Sequence, residues 1–191
     1  MLTLFKRELL AFFGNITAYV VIILFLVLIS LFMWVFPGDL NVFDSGYSNI
    51  DTLFAIAPFV FMFLVPAVSM RLLSEEKKSG TMELLLTRPI SEFSIVMAKF
   101  LAAFFIVIIA LLPTLVYYVT VYHLGNPVGN IDSGGAWGAY LGLIFLAAVY
   151  ASIGIFSSSL SDNQIISLLV SVLLIFVFYM GFDYADRKSV V

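Results

Sequence analysis

Five apolar runs divide the chain, at about residues 16–36, 53–73, 95–122, 136–156 and 165–182, each closed by a polar or glycine- and proline-bearing break. At ~1.5 Å per residue, ~20 helical residues cross the ~30 Å hydrocarbon core of a bilayer. Runs of this length are too long for an ordinary core helix and too poor in charge for a surface one. They predict five transmembrane helices, in an all-α polytopic membrane protein with residues 1–191 as one membrane domain. The first run is preceded by Lys6 and Arg7 but has no small-x-small cleavage site and ends at Pro37-Gly38-Asp39, so it reads as a span rather than a signal peptide.

Ahead of the first span, residues 1–14 carry Leu2, Phe5, Leu9, Phe12 and Phe13 on one helical stripe, with Thr3, Arg7 and Glu8 away from it. This pattern predicts an amphipathic helix lying in the membrane interface, its basic residues reaching the headgroups. Gly14-Asn15 breaks it and caps the first span. Pro58, Pro66 and Pro113 fall inside spans, where packed neighbours can satisfy the freed carbonyls; packing kinks are the expected reading. Gly138 and Gly142 form a GxxxG pair, and Ala147 and Ala151 repeat the four-residue spacing. Small residues so placed let helices approach closely, and packing inside the bundle is expected ahead of a dedicated dimer seam.

Composition agrees with the pattern: 63% of residues are hydrophobic and 11% charged, and the mean hydropathy is +1.14. Charge matters here by its placement. Lys6 and Arg7 precede span one, and Arg71, Lys77, Lys78, Arg88 and Lys99 lie between or at the mouths of spans two and three. The other two connections carry Asp39, Asp44, Asp51 and Asp132 with no lysine or arginine. By the positive-inside rule the amino terminus and the 74–92 loop face the cytoplasm. Ser157 to Gln164 is then inside by parity and the tail after span five outside, against which Arg187 and Lys188 stand.

Reactive chemistry is hard to assemble. The chain has no cysteine and one histidine, His123, beside Gly125 and Pro127, so neither a thiolate, a metal set nor a Ser-His-Asp combination is expected. The spans read as free of ionisable groups away from their ends, which disfavours a proton-driven carrier using intramembrane carboxylates. Ser157, Ser158, Ser159 and Ser161 flank a helix end, where turn and capping roles are expected. No phosphate-binding G-x-x-x-x-G-K-[ST] string occurs, and nothing points to nucleic acid.

The informative segment runs Glu75-Glu76-Lys-Lys-Ser-Gly80-Thr81-Met-Glu83-Leu84-Leu85-Leu86-Thr-Arg-Pro89-Ile-Ser91. Gly80 allows a tight turn, Thr81 suits an N-cap, Glu83 suits the first turn, and Pro89 stops the helix. Met82 to Thr87 therefore reads as one or two helical turns, whose three leucines either dock a partner or rest against the membrane interface. Ser91 and Glu92 then cap span three.

This string, followed by Lys99, resembles the signature loop of ABC-2 type transporter permeases, and in appearance comes closest to the permease of bacterial gliding-motility ABC transporters. The resemblance covers the whole chain. It implies a type V exporter-like fold in the bacterial inner membrane, two permease protomers pairing, and a separate ABC ATPase that binds the ATP and Mg²⁺. The short helix would be the coupling helix, with Glu75 and Glu76 on the extension before it, Gly80, Thr81 and Glu83 setting its geometry, Leu84, Leu85 and Leu86 making contacts, and Pro89 ending it. Members of this kind have six spans, so a sixth is expected to be missing here. The competing expectation is a membrane-anchoring scaffold that recruits a cytosolic partner without transporting.

Overall fold

A computed structural model of the chain describes residues 1–81, 83 and 91–189, the last eight by backbone alone. The described residues are helical with short connections. Helix α1 spans Leu2–Phe13; α2 spans Ile16–Ser30 and runs on into a π-helical turn over Leu31–Val35; α3 spans Asp51–Lys78. Helix α4 covers Glu92–Leu111, passes through a 3₁₀ turn at Leu112–Thr114 and continues as α5, Leu115–Leu124. Helices α6, Ser133–Leu160, and α7, Gln164–Ser189, complete the order. Five helical segments are long and apolar enough to cross a membrane: Ile16–Val35, Asp51–Lys78, Glu92–Leu124, Ser133–Leu160 and Gln164–Gly181.

Helix starts follow local side-chain chemistry. The Asn15 side chain accepts from Thr17 N at 3.2 Å, that of Ser91 from Ser94 N at 3.3 Å, and that of Asp132 from Gly135 N at 3.0 Å. Each satisfies an amide that the first turn leaves without a helical partner. Pro113 breaks the third span at the 3₁₀ turn. There Thr114 Oγ1 donates to the Leu111 carbonyl at 2.7 Å and lies 3.1 Å from Tyr140 Oη, so a hydroxyl serves the opened backbone.

Helix α3 is the axis of the bundle. Leu53, Ala57, Phe61, Val65 and Val68 are buried along it, and it packs most extensively on α6, then on α7. Phe61 meets Phe25 of α2 with ring centroids 5.4 Å apart. Without water to expel, such contacts hold the helices together through dispersion and interhelical hydrogen bonds.

As expected, a helical extension follows span two: α3 continues to Lys78 and carries Glu75 and Glu76 in its last turns. Other expectations change. In α1, Leu2 is exposed, and the buried residue is Leu4, packed on Ile95 and Ala98 of α4. Phe5, Leu9, Phe12 and Phe13 of the expected stripe pack inward as well, half-buried, so the inner face keeps most of the stripe and adds Leu4 and Glu8. Gly138 and Gly142 have no neighbouring atom within 4 Å of where a Cβ would stand, so packing among the described residues does not use this pair. Ala147 and Ala151 are buried, and the close approach falls at Gly154, whose Cβ would stand 2.8 Å from Ser69 Cβ and closer still to its Oγ. The serines flanking α6 also do more than turn the chain. Ser158 Oγ accepts from the Leu73 and Ser74 amides at 3.2 and 3.1 Å and donates to the Met70 carbonyl at 3.0 Å. Ser157 Oγ donates to the Ser167 carbonyl at 2.5 Å.

Candidate functional site

The last turns of α3 meet α1, α4 and the α6–α7 turn at one end of the bundle. From α4, Lys99 is completely buried, two turns after the helix begins. Its ammonium stands 2.8 Å from Glu76 Oε2 and 3.5 Å from Glu8 Oε1, and donates to the Leu72 carbonyl. Arg7 closes the cluster, with one guanidinium nitrogen 2.7 Å from Glu8 Oε1 and 2.8 Å from Glu76 Oε1. Two cations and two carboxylates balance, which is what lets Lys99 be buried while Arg7 stays exposed at the edge: an unpaired buried charge costs several kcal/mol. The hydrogen bond with Glu8, then the charges of Glu8 and Glu76, hold the Arg7 guanidinium above its ordinary range against the opposing effect of burial.

Lys99 lies near the start of the third span, as expected, but wholly buried, which the sequence reading did not foresee. Its long apolar stem lies within the packed helix face while its ammonium reaches the carboxylates at the bundle's end. Glu8, assigned to the polar side of α1, faces inward for the same reason.

The next residue of α3 reaches the other way. Lys77 Nζ donates to the Ser159 carbonyl at 2.6 Å and lies 3.9 Å from Asp162 Oδ1. Glu76 thus ties α3 to α1 and α4, and Lys77 ties it to the α6–α7 turn. The amino-terminal helix, the 74–92 loop and the Ser157–Gln164 turn therefore share one end of the bundle. At the other end Ser48 Oγ lies 2.9 Å from where a Cβ on Gly125 would stand, so the two connections without lysine or arginine are neighbours there.

The chain leaves α3 in a defined direction. Ser79 N donates to Glu75 O at 3.0 Å and Gly80 N to Lys77 O at 3.1 Å. Gly80 has φ of +70°, a left-handed conformation that glycine adopts without the Cβ penalty. Thr81 Oγ1 lies 2.9 Å from Ser79 Oγ and donates to Glu76 O at 3.3 Å, so its hydroxyl bonds back onto α3. Glu75, Thr81 and Glu83 are exposed. Leu84, Leu85, Leu86 and Pro89, together with Met82, Thr87, Arg88 and Ile90, lie outside the described residues.

Of the residues singled out in the sequence, Glu76, Gly80 and Thr81 come together at the end of α3, with Glu75 on the preceding turn. Those the sequence reading missed are Glu8, Arg7, Lys99 and Lys77, whose partners are distant in sequence. Among the described residues, no group of three or more His, Cys, Asp or Glu is arranged to hold a metal ion.

Compared with curated proteins, the chain matches none. A family model described as ABC-2 family transporter protein matches residues 39–186, which hold all of α3 to α6 and most of α7. The match spans far more than half of the sequence, and the chain belongs to the ABC-2 transporter family.

Proposed function

We propose that this permease subunit of an ABC transporter works in an ATP-driven exporter, and that its 74–92 loop takes up the movement of a separate ABC ATPase. Family membership makes the chain a multi-pass membrane subunit whose general partner is an ABC ATPase. The observation that carries the finer reading is the pair of ties on adjacent residues at the loop's root. Glu76 is bound to Lys99 and Arg7, and Lys77 to the Ser159 carbonyl, immediately before the left-handed turn at Gly80. A force applied to Met82–Thr87 would reach α1, α4 and the α6–α7 turn together through α3.

In this reading Leu84, Leu85 and Leu86 dock on the ATPase, which holds ATP and Mg²⁺, and two permease protomers form the pathway in a bacterial inner membrane. The amino terminus and the loop face the cytoplasm, as the distribution of basic residues requires. The likeness of the 75–91 string to permeases of gliding-motility transporters supports a link to that process.

Hydrolysis rates test it. The purified chain should release no phosphate from ATP, and hydrolysis should appear in the complex recovered from native membranes. Sustained ATPase activity in the verified pure chain would contradict the division of labour.

A further inference from the structure

A cleft of about 330 Å³ opens between α1, the start of α2 and the last turns of α3, a size at the small end of the ~300–1,000 Å³ typical of ligand pockets. Its lining is part apolar and part charged. Ala11, Ala67 and Val68 supply an apolar side, and Arg71 and Glu75 supply opposite charges. Arg71 and Glu75 are four residues apart on one helix, the spacing at which such side chains normally pair. Among the described residues they form no ion pair, and Arg71 Nε is buried with no hydrogen-bond partner. Arg7, Glu8 and Glu76 also line the cleft but already neutralise one another and Lys99. Among the described residues, one guanidinium and one carboxylate are left without an ion-pair partner beside an apolar wall.

The level of this cleft in the membrane follows from its neighbours. Helix α1 is amphipathic and is joined through Gly14 to Asn15, the cap of the first spanning helix. An amphipathic helix there lies at the boundary between headgroups and acyl chains. The molecule always present at that level, with an apolar body and a phosphate, is a phospholipid.

We infer that the cleft is a binding site for one phospholipid whose headgroup carries both a phosphate and a primary ammonium, as in phosphatidylethanolamine. The phosphate is held by Arg71, whose planar donors suit phosphate oxygens. The ammonium donates to Glu75, and the glycerol end of the acyl chains rests on Ala67 and Val68. A trimethylated headgroup cannot donate to Glu75, and a glycerol headgroup brings no positive charge to it. This inference rests on the membrane-spanning fold and is independent of the coupling role of the 74–92 loop.

Native mass spectrometry of the intact purified chain tests it, after exchange into detergent with equal amounts of phosphatidylethanolamine, phosphatidylcholine and phosphatidylglycerol of matched acyl chains. One phosphatidylethanolamine per chain should be retained about tenfold over the other two, the difference expected of one charge-assisted hydrogen bond. Arg71→Gln should reduce its retention about tenfold, and Glu75→Gln should bring it down to that of phosphatidylcholine. Ala67→Leu, which fills the apolar side, should also release it. Should Arg71→Gln fail to fold, the other two variants decide. Equal retention of the three lipids, retention of phosphatidylglycerol above phosphatidylethanolamine, or folded variants that hold the lipid as well as the wild type would overturn the site.

Discussion

Lys99 and Glu76 form an ion pair of 2.8 Å between α4 and α3, with the lysine side chain wholly withdrawn from solvent and the glutamate nearly so. The pair sits one turn before Gly80, where the chain turns out of α3. This places a fixed electrostatic joint at the root of the 74–92 loop.

Removing one side of that joint should be costly. Lys99→Met leaves two carboxylates facing Arg7 alone, and breaking a buried pair in this way costs about 3–5 kcal/mol. Glu76→Gln strands part of the lysine's charge instead. The double variant removes both partners, so its loss should be smaller than the sum of the single losses. Unfolding of the four proteins in one detergent completes the cycle, and strictly additive losses would show that the two residues act separately.

Gly154 and Gly138 should respond in opposite ways to the same substitution. A Cβ at Gly154 collides with Ser69 across the α3–α6 contact, whereas one at Gly138 meets nothing within 4 Å. Gly154→Ala should lower stability by about 1–3 kcal/mol, the usual range for overpacking. Gly138→Ala should leave the isolated chain unharmed, and thermal unfolding of both compares them directly.

These contrasts mark what could be read from the residues alone. The five spans were legible because a bilayer imposes a length and an apolar composition on any helix that crosses it. Asn15 and Ser91 were legible as caps because capping is local chemistry, and so was the turn at Gly80. Lys99 was visible as a basic residue but not as a buried one. Its partners Glu8 and Glu76 come from other helices, and hydrophobic periodicity carries no information about which polar residues meet.

The same limit applies to close packing. The GxxxG spacing singles out Gly138 and Gly142, yet among the described residues neither has a neighbour close to its Cβ position. The tight contact uses the isolated Gly154. Leu2 falls on the apolar stripe expected at the membrane interface and Glu8 off it, because the apolar residues there are too frequent to fix one face. The contact of Leu4 with Ile95 and Ala98 fixes it.

The proposed membrane sidedness, read from the basic residues, can be tested directly. Lys78 should be reachable only from the cytoplasm, and Tyr47 and Val128 only from the opposite side. Both of the latter are strongly exposed, at 77% and 65%; replacing Asp132 instead would remove the cap of α6. Single cysteines at the three positions of this cysteine-free chain can be labelled in intact cells with an impermeant thiol reagent. Labelling at Tyr47→Cys and Val128→Cys with protection at Lys78→Cys is the expected pattern, and the reverse pattern would invert the orientation.

Gly80→Val alters the direction of the loop without touching its leucines. A branched side chain at φ of +70° is strained by roughly 1–2 kcal/mol, and the helix end would relax by changing course. The bundle should keep its thermal stability to within that amount, while recovery of the ATPase from membranes falls. Unchanged recovery would show that the loop's exit direction is unimportant for docking.

The most direct test of the coupling account is recovery of the ATPase by the intact permease and by its Leu84→Asp/Leu85→Asp variant, at matched expression from native membranes. A leucine buried at an interface contributes about 1.5–3 kcal/mol, so two aspartates in its place should weaken docking by orders of magnitude. The account predicts that a protein bearing the phosphate-binding G-x-x-x-x-G-K-[ST] string copurifies with the wild type and is lost from the variant, while membrane insertion is unchanged. Equal recovery of that protein with both forms would contradict it and assign the leucines to the membrane surface.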